Sequence, residues 1–143
     1  MILKQVSLLA SLTLAGCASL EGKPTATSPC AFEQVWDTSI VALSDVRLQK
    51  ADKAAGVLET NWVEVGSATQ AGVMQRDINK ERVRYVVEVK REGTGAAATV
   101  LQLREAWSPM GVMMNRWRAV PGNPTEEEAV AAEIARRLKE KGC

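Results

Sequence analysis

Three thiols and no imidazole set the chemistry open to this chain. Of its 143 residues, three are cysteine (Cys17, Cys30 and Cys143) and none is histidine. The commonest general base and the commonest neutral metal ligand are therefore absent. The cysteines also lack the close paired spacing of a zinc site. "GTG" at 93–95 falls far short of a phosphate-cradling loop and reads as a hairpin turn. Glu126, Glu127 and Glu128 invite a metal or acid–base reading. They open a helix, however, where carboxylates offset the helix dipole. Arg82, Arg84, Lys90 and Arg104 share a strand face that can meet a partner or lipid headgroups. Glu88 and Glu105 interrupt that set, and a solvated sheet face is the simpler reading. No catalytic, metal or cofactor site emerges, so the chain is expected not to be an enzyme.

Cys17 ends the first long apolar run. Lys4 is the one charge among the first sixteen residues, and an apolar stretch covers 6–15. That stretch is too short to cross a bilayer as a helix, which takes about 20 residues. A positive start, a short apolar core and small residues before a cut describe a secretory signal peptide over 1–16. Leu14, Ala15, Gly16 and Cys17 resemble the lipobox of bacterial lipoproteins. The resemblance implies that the Cys17 thiol is acylated, the leader is cut before it, and the new amine is acylated too. Several acyl chains anchor stably where one is marginal, since each buried methylene contributes about 0.8 kcal/mol. The alternative is an ordinary leader with Cys17 as a free or bridged thiol. Ala18 and Ser19 follow, and the resemblance to proteobacterial lipoproteins implies that, with no aspartate there, the chain is delivered to the outer membrane, facing the periplasm.

Cleavage after Gly16 removes Lys4 from the 18 bases and nothing from the 17 acids, leaving 17 of each. That balance argues against a nucleic-acid binder, which carries a basic excess. The mature length suits one domain with a modest core. In an oxidising compartment, the remaining Cys30 and Cys143 suggest a disulfide. "EGKPTATSP" (21–29) is small, polar and proline-containing. Residues 17–29 therefore read as a lipidated cysteine and flexible tether, and 30–143 as the domain. The tether reaches at most about 40 Å, at roughly 3.3 Å per extended residue.

The elements that must position these residues follow from periodicity. Ser28 and Pro29 suit the start of a helix. Phe32, Val35, Trp36, Ser39, Ile40 and Leu43 then recur at three-and-four spacing. Period two takes over at 46–51 and again at 57–65, where Leu58, Thr60 and Trp62 alternate with Glu59 and Asn61. The stretch 66–81 reads as a long connection. In 82–90, Val83, Tyr85, Val87 and Val89 share one side, and in 99–107 Leu101, Leu103 and Trp107 share one side. Two such strands describe an antiparallel sheet covered on one face. Thr125 with Glu128 forms a capping box for a last helix with Val130, Ala131, Ile134 and Leu138 on its apolar side.

"FEQVWDTSIVAL", "AAGVLETNW", "RVRYVVEV" and the final "IARRL" resemble, in element order and apolar spacing, the helix-grip domain of BamC-like outer-membrane lipoproteins. The resemblance implies an α+β fold of order α-β4-α: a four-stranded antiparallel sheet with the N- and C-terminal helices packed on one face. It also implies an accessory role in the machinery that inserts β-barrel proteins into the outer membrane. BamC proteins carry two such domains behind a long arm, whereas this chain has one domain and a short tether. What carries over is a lipid-anchored module that binds another protein.

With each short connection reversing the chain, the last helix ends at the level where the first begins. Cys30 and Cys143 then lie at the same end, and a disulfide between them is expected; unpaired thiols at frayed termini are the alternative. An extra strand in 111–120 would upset that count. "WSPMGVMMNRWRAVPG" (107–122) is the least explained stretch. It either folds over the sheet to complete the core or presents Met113, Met114 and Trp117 to a partner, since Met and Trp serve adaptable binding surfaces. Two functions remain open: a non-enzymatic accessory or scaffold lipoprotein of the envelope, and a module holding a small apolar molecule or lipid between helix and sheet.

Overall fold

The computed structural model describes residues 20–66, 80–108 and 116–143. In chain order the elements are β1 (Thr25–Ser28), α1 (Phe32–Ala42), β2 (Leu48–Asp52), β3 (Val57–Thr60), β4 (Val63–Val65), β5 (Glu81–Glu92), β6 (Gly95–Ser108), β7 (Arg116–Val120) and α2 (Pro124–Glu140). The strands form one antiparallel sheet in the order β1-β6-β5-β3-β2, with β4 also on β5 and β7 also on β6. The expected four-stranded α-β4-α sheet is therefore corrected to a seven-stranded sheet carrying two helices.

Three local causes account for the difference. The single strand expected over 57–65 breaks at Asn61 and Trp62, where the Asn61 N–H donates to the Arg47 carbonyl at 2.8 Å. Its halves, β3 and β4, lie one after the other along β5. The expected tether is shorter than 17–29, because residues 25–28 pair with Thr99, Ala98, Ala97 and Ala96 of β6 as β1. Proline is tolerated at the ends of an edge strand, and Pro24 and Pro29 bracket this one. β7 pairs with the far half of β6, out of the least explained stretch, 107–122.

The β5–β6 hairpin is the spine. Glu92 pairs with Gly95, so the turn is the two residues Gly93 and Thr94, with Gly93 at φ +55°. A two-residue hairpin turn needs such a left-handed position, which glycine adopts freely. Ala96, Ala97 and Ala98 belong to β6 and are buried, so the strand starts ahead of the expected 99–107.

Both helices cover one face. Phe32, Val35, Trp36 and Leu43 of the first helical segment meet Leu58, Val87, Val89, Ala98 and Val100 of the sheet and Ala131, Ile134 and Leu138 of α2 in one apolar cluster. The helix starts differ from expectation. Ser28 remains in β1, its Oγ accepting the Cys30 N–H at 3.1 Å, so α1 begins at Phe32. α2 is capped by Asn123, whose side chain accepts the Thr125 N–H at 3.0 Å, with Pro124 at the first position. Those residue types lead at both positions.

Cys30 and Cys143 are joined in this structure, with Cα atoms 5.6 Å apart. The extra strand β7 leaves them together for a topological reason. β7 runs along β6 from Ser108 toward Arg104. α2 continues the same way, from Glu127 beside Gln102 to Cys143 beside Cys30. The connection from β7 to α2 therefore bends without reversing the chain.

Candidate binding face

Pairing register decides which side chains meet on the face of the sheet opposite the helices. Val87 faces Val100, and Val89 faces Ala98, so these pairs look toward the helices. The alternate pairs look the other way: Val86 with Leu101, Arg84 with Leu103, and Arg82 with Glu105. Trp107 pairs with Trp117 of β7 on that same side. The expected match of apolar sides between 82–90 and 99–107 is thus corrected. Leu101, Leu103 and Trp107 oppose the helix face, and the second face of the sheet is apolar and aromatic as well as charged.

A stacked cluster occupies one end of this face. The Arg82 guanidinium lies 4.5 Å from the Trp62 ring centroid and 4.3 Å from that of Trp117. Its Nη2 donates to both Glu105 oxygens, at 3.3 and 3.2 Å. Trp107 and Trp117 meet edge to face at 5.4 Å. Arg84 lies 4.9 Å from the Trp62 centroid and 3.8 Å from Glu59. Each cation–ring contact is worth about 0.5–2 kcal/mol, more as water is excluded. The Nε atoms of Arg82 and Arg84 are buried and have no hydrogen-bond partner among the described residues. The cluster ties the link between β3 and β4 to β5, β6 and β7 while keeping three half-buried indoles on one surface.

Of the residues singled out from the sequence, Trp117 belongs to this cluster. Met113, Met114 and Cys17 lie outside the described residues. Arg104 leaves the basic set: it pairs in register with Val83 and bonds Glu81 at 2.6 and 2.9 Å on the other face. Lys90 is exposed near the hairpin turn. Trp62 and Trp107 are not among the contact residues expected from the sequence, because strand alternation puts both on core-facing sides. The break at Asn61 is what turns Trp62 outward.

A second polar constellation joins the N-terminal segment to α2. Glu127, 1% exposed, accepts the Gln102 backbone N–H at 2.9 Å and Lys23 Nζ at 3.1 Å on both oxygens. The Gln102 side chain accepts the Asn123 N–H at 2.7 Å and donates to Tyr85 Oη at 3.1 Å and to Glu126. Burial pushes the Tyr85 phenol above its ordinary 10; the Gln102 bond opposes that, and the charge of Glu126 adds to it. The acidic run is therefore partly turned inward, whereas dipole reasoning left it at the surface. Glu127 fills the gap on the β6 edge between β1 and β7, where Gln102, paired with Tyr85 on its other side, faces neither strand. Its acceptors are taken by a lysine and a main-chain amide, which is a clamp rather than a reactive carboxylate.

Among the described residues, no group of three His, Cys, Asp or Glu side chains is placed to hold a metal. No described helix is long and apolar enough to cross a membrane. No protein-family model matches the chain, and the comparison with curated proteins finds no match.

Proposed function

We propose that this chain is a lipid-anchored protein of the outer membrane, facing the periplasm, that works without catalysis by binding another envelope protein. The observation that carries the reading is the second face of the sheet. A solvated face would alternate away from the core with polar side chains. Here Val86, Leu101, Leu103, Trp62, Trp107 and Trp117 share it with two stacked arginines. Tryptophan and arginine are the residue types that dominate protein–protein hot spots. The address rests on the lipobox-like run ending at Cys17. An accessory or scaffold role in outer-membrane protein assembly, as in BamC-like lipoproteins, gives the first partner to test: the barrel-insertion machinery.

The second reading, a small apolar molecule held between helices and sheet, needs open space there. That space is taken by Trp36, Leu58, Val87, Val100 and Ile134, packed in one cluster, which favours the first.

The test pairs stability with recovery. Trp62→Ala and Trp117→Ala are made in the full chain, and partners are recovered by crosslinking in membranes. Loss of a specific partner at a melting temperature within a few degrees of the parent supports binding. A fall in melting temperature with undiminished recovery assigns the cluster to packing alone. For the address, the Cys17→Ser variant is expected in the soluble fraction, and equal membrane retention contradicts the anchor.

A further inference from the structure

The two edges of the sheet are unlike. On β2 the pairing is irregular between Leu48 and Lys50, and Lys50 and Asp52 are charged. Bulges and charges of that kind discourage further strand pairing. β1 has neither: its four residues are Thr, Ala, Thr and Ser, and its pairing with β6 is regular. The Val100 N–H donates to the Pro24 carbonyl at 3.0 Å. In an antiparallel ladder alternate residues point their N–H and C=O the same way. Ala26 and Ser28 therefore turn theirs toward β6, as Pro24 turns its carbonyl, and Thr25 and Thr27 turn theirs outward. Thr25 and Thr27 are exposed. No main-chain bond to these four outward groups exists among the described residues. Beside this edge runs an open groove of about 420 Å³, lined by Gly22, Lys23, Glu128, Ala131, Ala132 and Ala135.

We infer that β1 pairs with β1 of a second copy of this chain, making one continuous sheet across a two-fold axis. A register centred on Ala26 sets Thr25 opposite the partner's Thr27 and the reverse, and it satisfies all four outward groups on each copy. α2 packs on both β1 and β6, so it lies over the edge of the sheet that β1 forms. A two-fold axis between the paired β1 strands stands perpendicular to the joined sheet, so the two α2 helices lie on the same face and approach each other across it. Ala132 and Ala135 are exposed on the groove side of α2, and side chains that small permit such an approach. A second copy thus fills the groove with its own helix. The occupant follows also from the chain preceding the fold. Cys17 is six residues from Lys23, at most about 20 Å of chain, so anchored copies carry their β1 edges at one height above a shared membrane. Confinement to that plane raises their effective concentration. This last argument rests on the lipid anchor proposed above.

The test uses single variants Thr25→Cys and Thr27→Cys of the mature lipidated chain, in vesicles of phosphatidylethanolamine and phosphatidylglycerol. Opposed residues of a hydrogen-bonded antiparallel pair have Cα atoms about 5.5 Å apart, within disulfide reach. Under mild oxidation, vesicles holding both variants should give crosslinked dimer at least tenfold faster than vesicles holding either alone. Equal rates in all three, or no dimer in the mixture, overturn the inference. If the chain does not partition into vesicles, the anchor has failed rather than the edge. The same mixture at millimolar concentration in solution then decides, with the same two outcomes. In Thr27→Pro, which removes an outward N–H and no bond to β6, dimer should be lost with the melting temperature unchanged; an undiminished dimer contradicts the pairing.

Discussion

Replacing Lys23 with methionine tests how the N-terminal segment is tied to the domain. Its side chain is 31% exposed, and its ammonium lies 3.1 Å from both oxygens of Glu127, whose side chain is 1% exposed. In Lys23→Met the carboxylate stays buried with the Gln102 N–H at 2.9 Å as its remaining donor. Breaking a fully buried pair from one side costs about 3–5 kcal/mol. Water reaching the vacated lysine side reduces that, and the expected loss is about 2–3 kcal/mol. In Glu127→Gln the amide oxygen keeps the Gln102 bond and the freed ammonium turns to solvent. The loss there should be about 1 kcal/mol, the net worth of one hydrogen bond. The double variant buries no charge and should fall near Glu127→Gln, so the two changes couple by about 2–3 kcal/mol. Urea unfolding with the disulfide intact reads these values as midpoint shifts at constant slope. If Glu127→Gln costs as much as Lys23→Met, or the singles simply add in the double, the clamp reasoning is refuted.

Opening the Cys30–Cys143 bridge, which spans 113 residues of sequence, should remove about 2–4 kcal/mol of stability; intact mass of the non-reduced mature protein checks the bridge, and two free thiols contradict it. A Cβ on Gly95 would lie 2.0 Å from the Ser28 carbonyl oxygen, so Gly95→Ala should push β1 off β6 and cost more than about 2 kcal/mol. Faster hydrogen exchange at the Ala26 amide is the local readout, and an unshifted amide counts against the close approach. Tyr85 is the single tyrosine, so absorbance titration of phenolate reports on it alone. Its midpoint should lie above 10, burial being the main cause. Because the folded value is raised, this group's contribution is complete below the unfolded value and falls as pH rises past 10. A midpoint at or below 10 denies the buried setting.

The core of this fold is legible in the sequence wherever one segment decides its own geometry. The stripe of Phe32, Val35, Trp36, Ser39 and Leu43 is buried, as are Val83, Val87 and Val89, and Ala131, Ile134 and Leu138. What the periodicity leaves open is how one segment meets another. A strand's alternation names two sides without saying which is inside, and a shift of one residue exchanges them. The two-residue turn at Gly93 and Thr94 fixes Val87 opposite Val100, which sends Leu101, Leu103 and Trp107 outward. β1 escaped because two prolines and small residues describe a tether as well as a bracketed edge strand; pairing with β6 makes the choice. Trp62 depends on the break at Asn61, and Glu127 on a gap between two edge strands, neither of which a linear pattern records.

The account turns on whether the face of Trp62, Leu103, Trp107 and Trp117 meets another protein. A photoactivatable residue placed at Leu103 in the anchored full chain measures this directly, with Lys139 on the exposed side of α2 as the comparison site. The account predicts one dominant adduct of defined mass from Leu103, absent from Lys139 and lost in the Trp117→Ala background. No adduct from Leu103, or the same adducts from both sites, would contradict it.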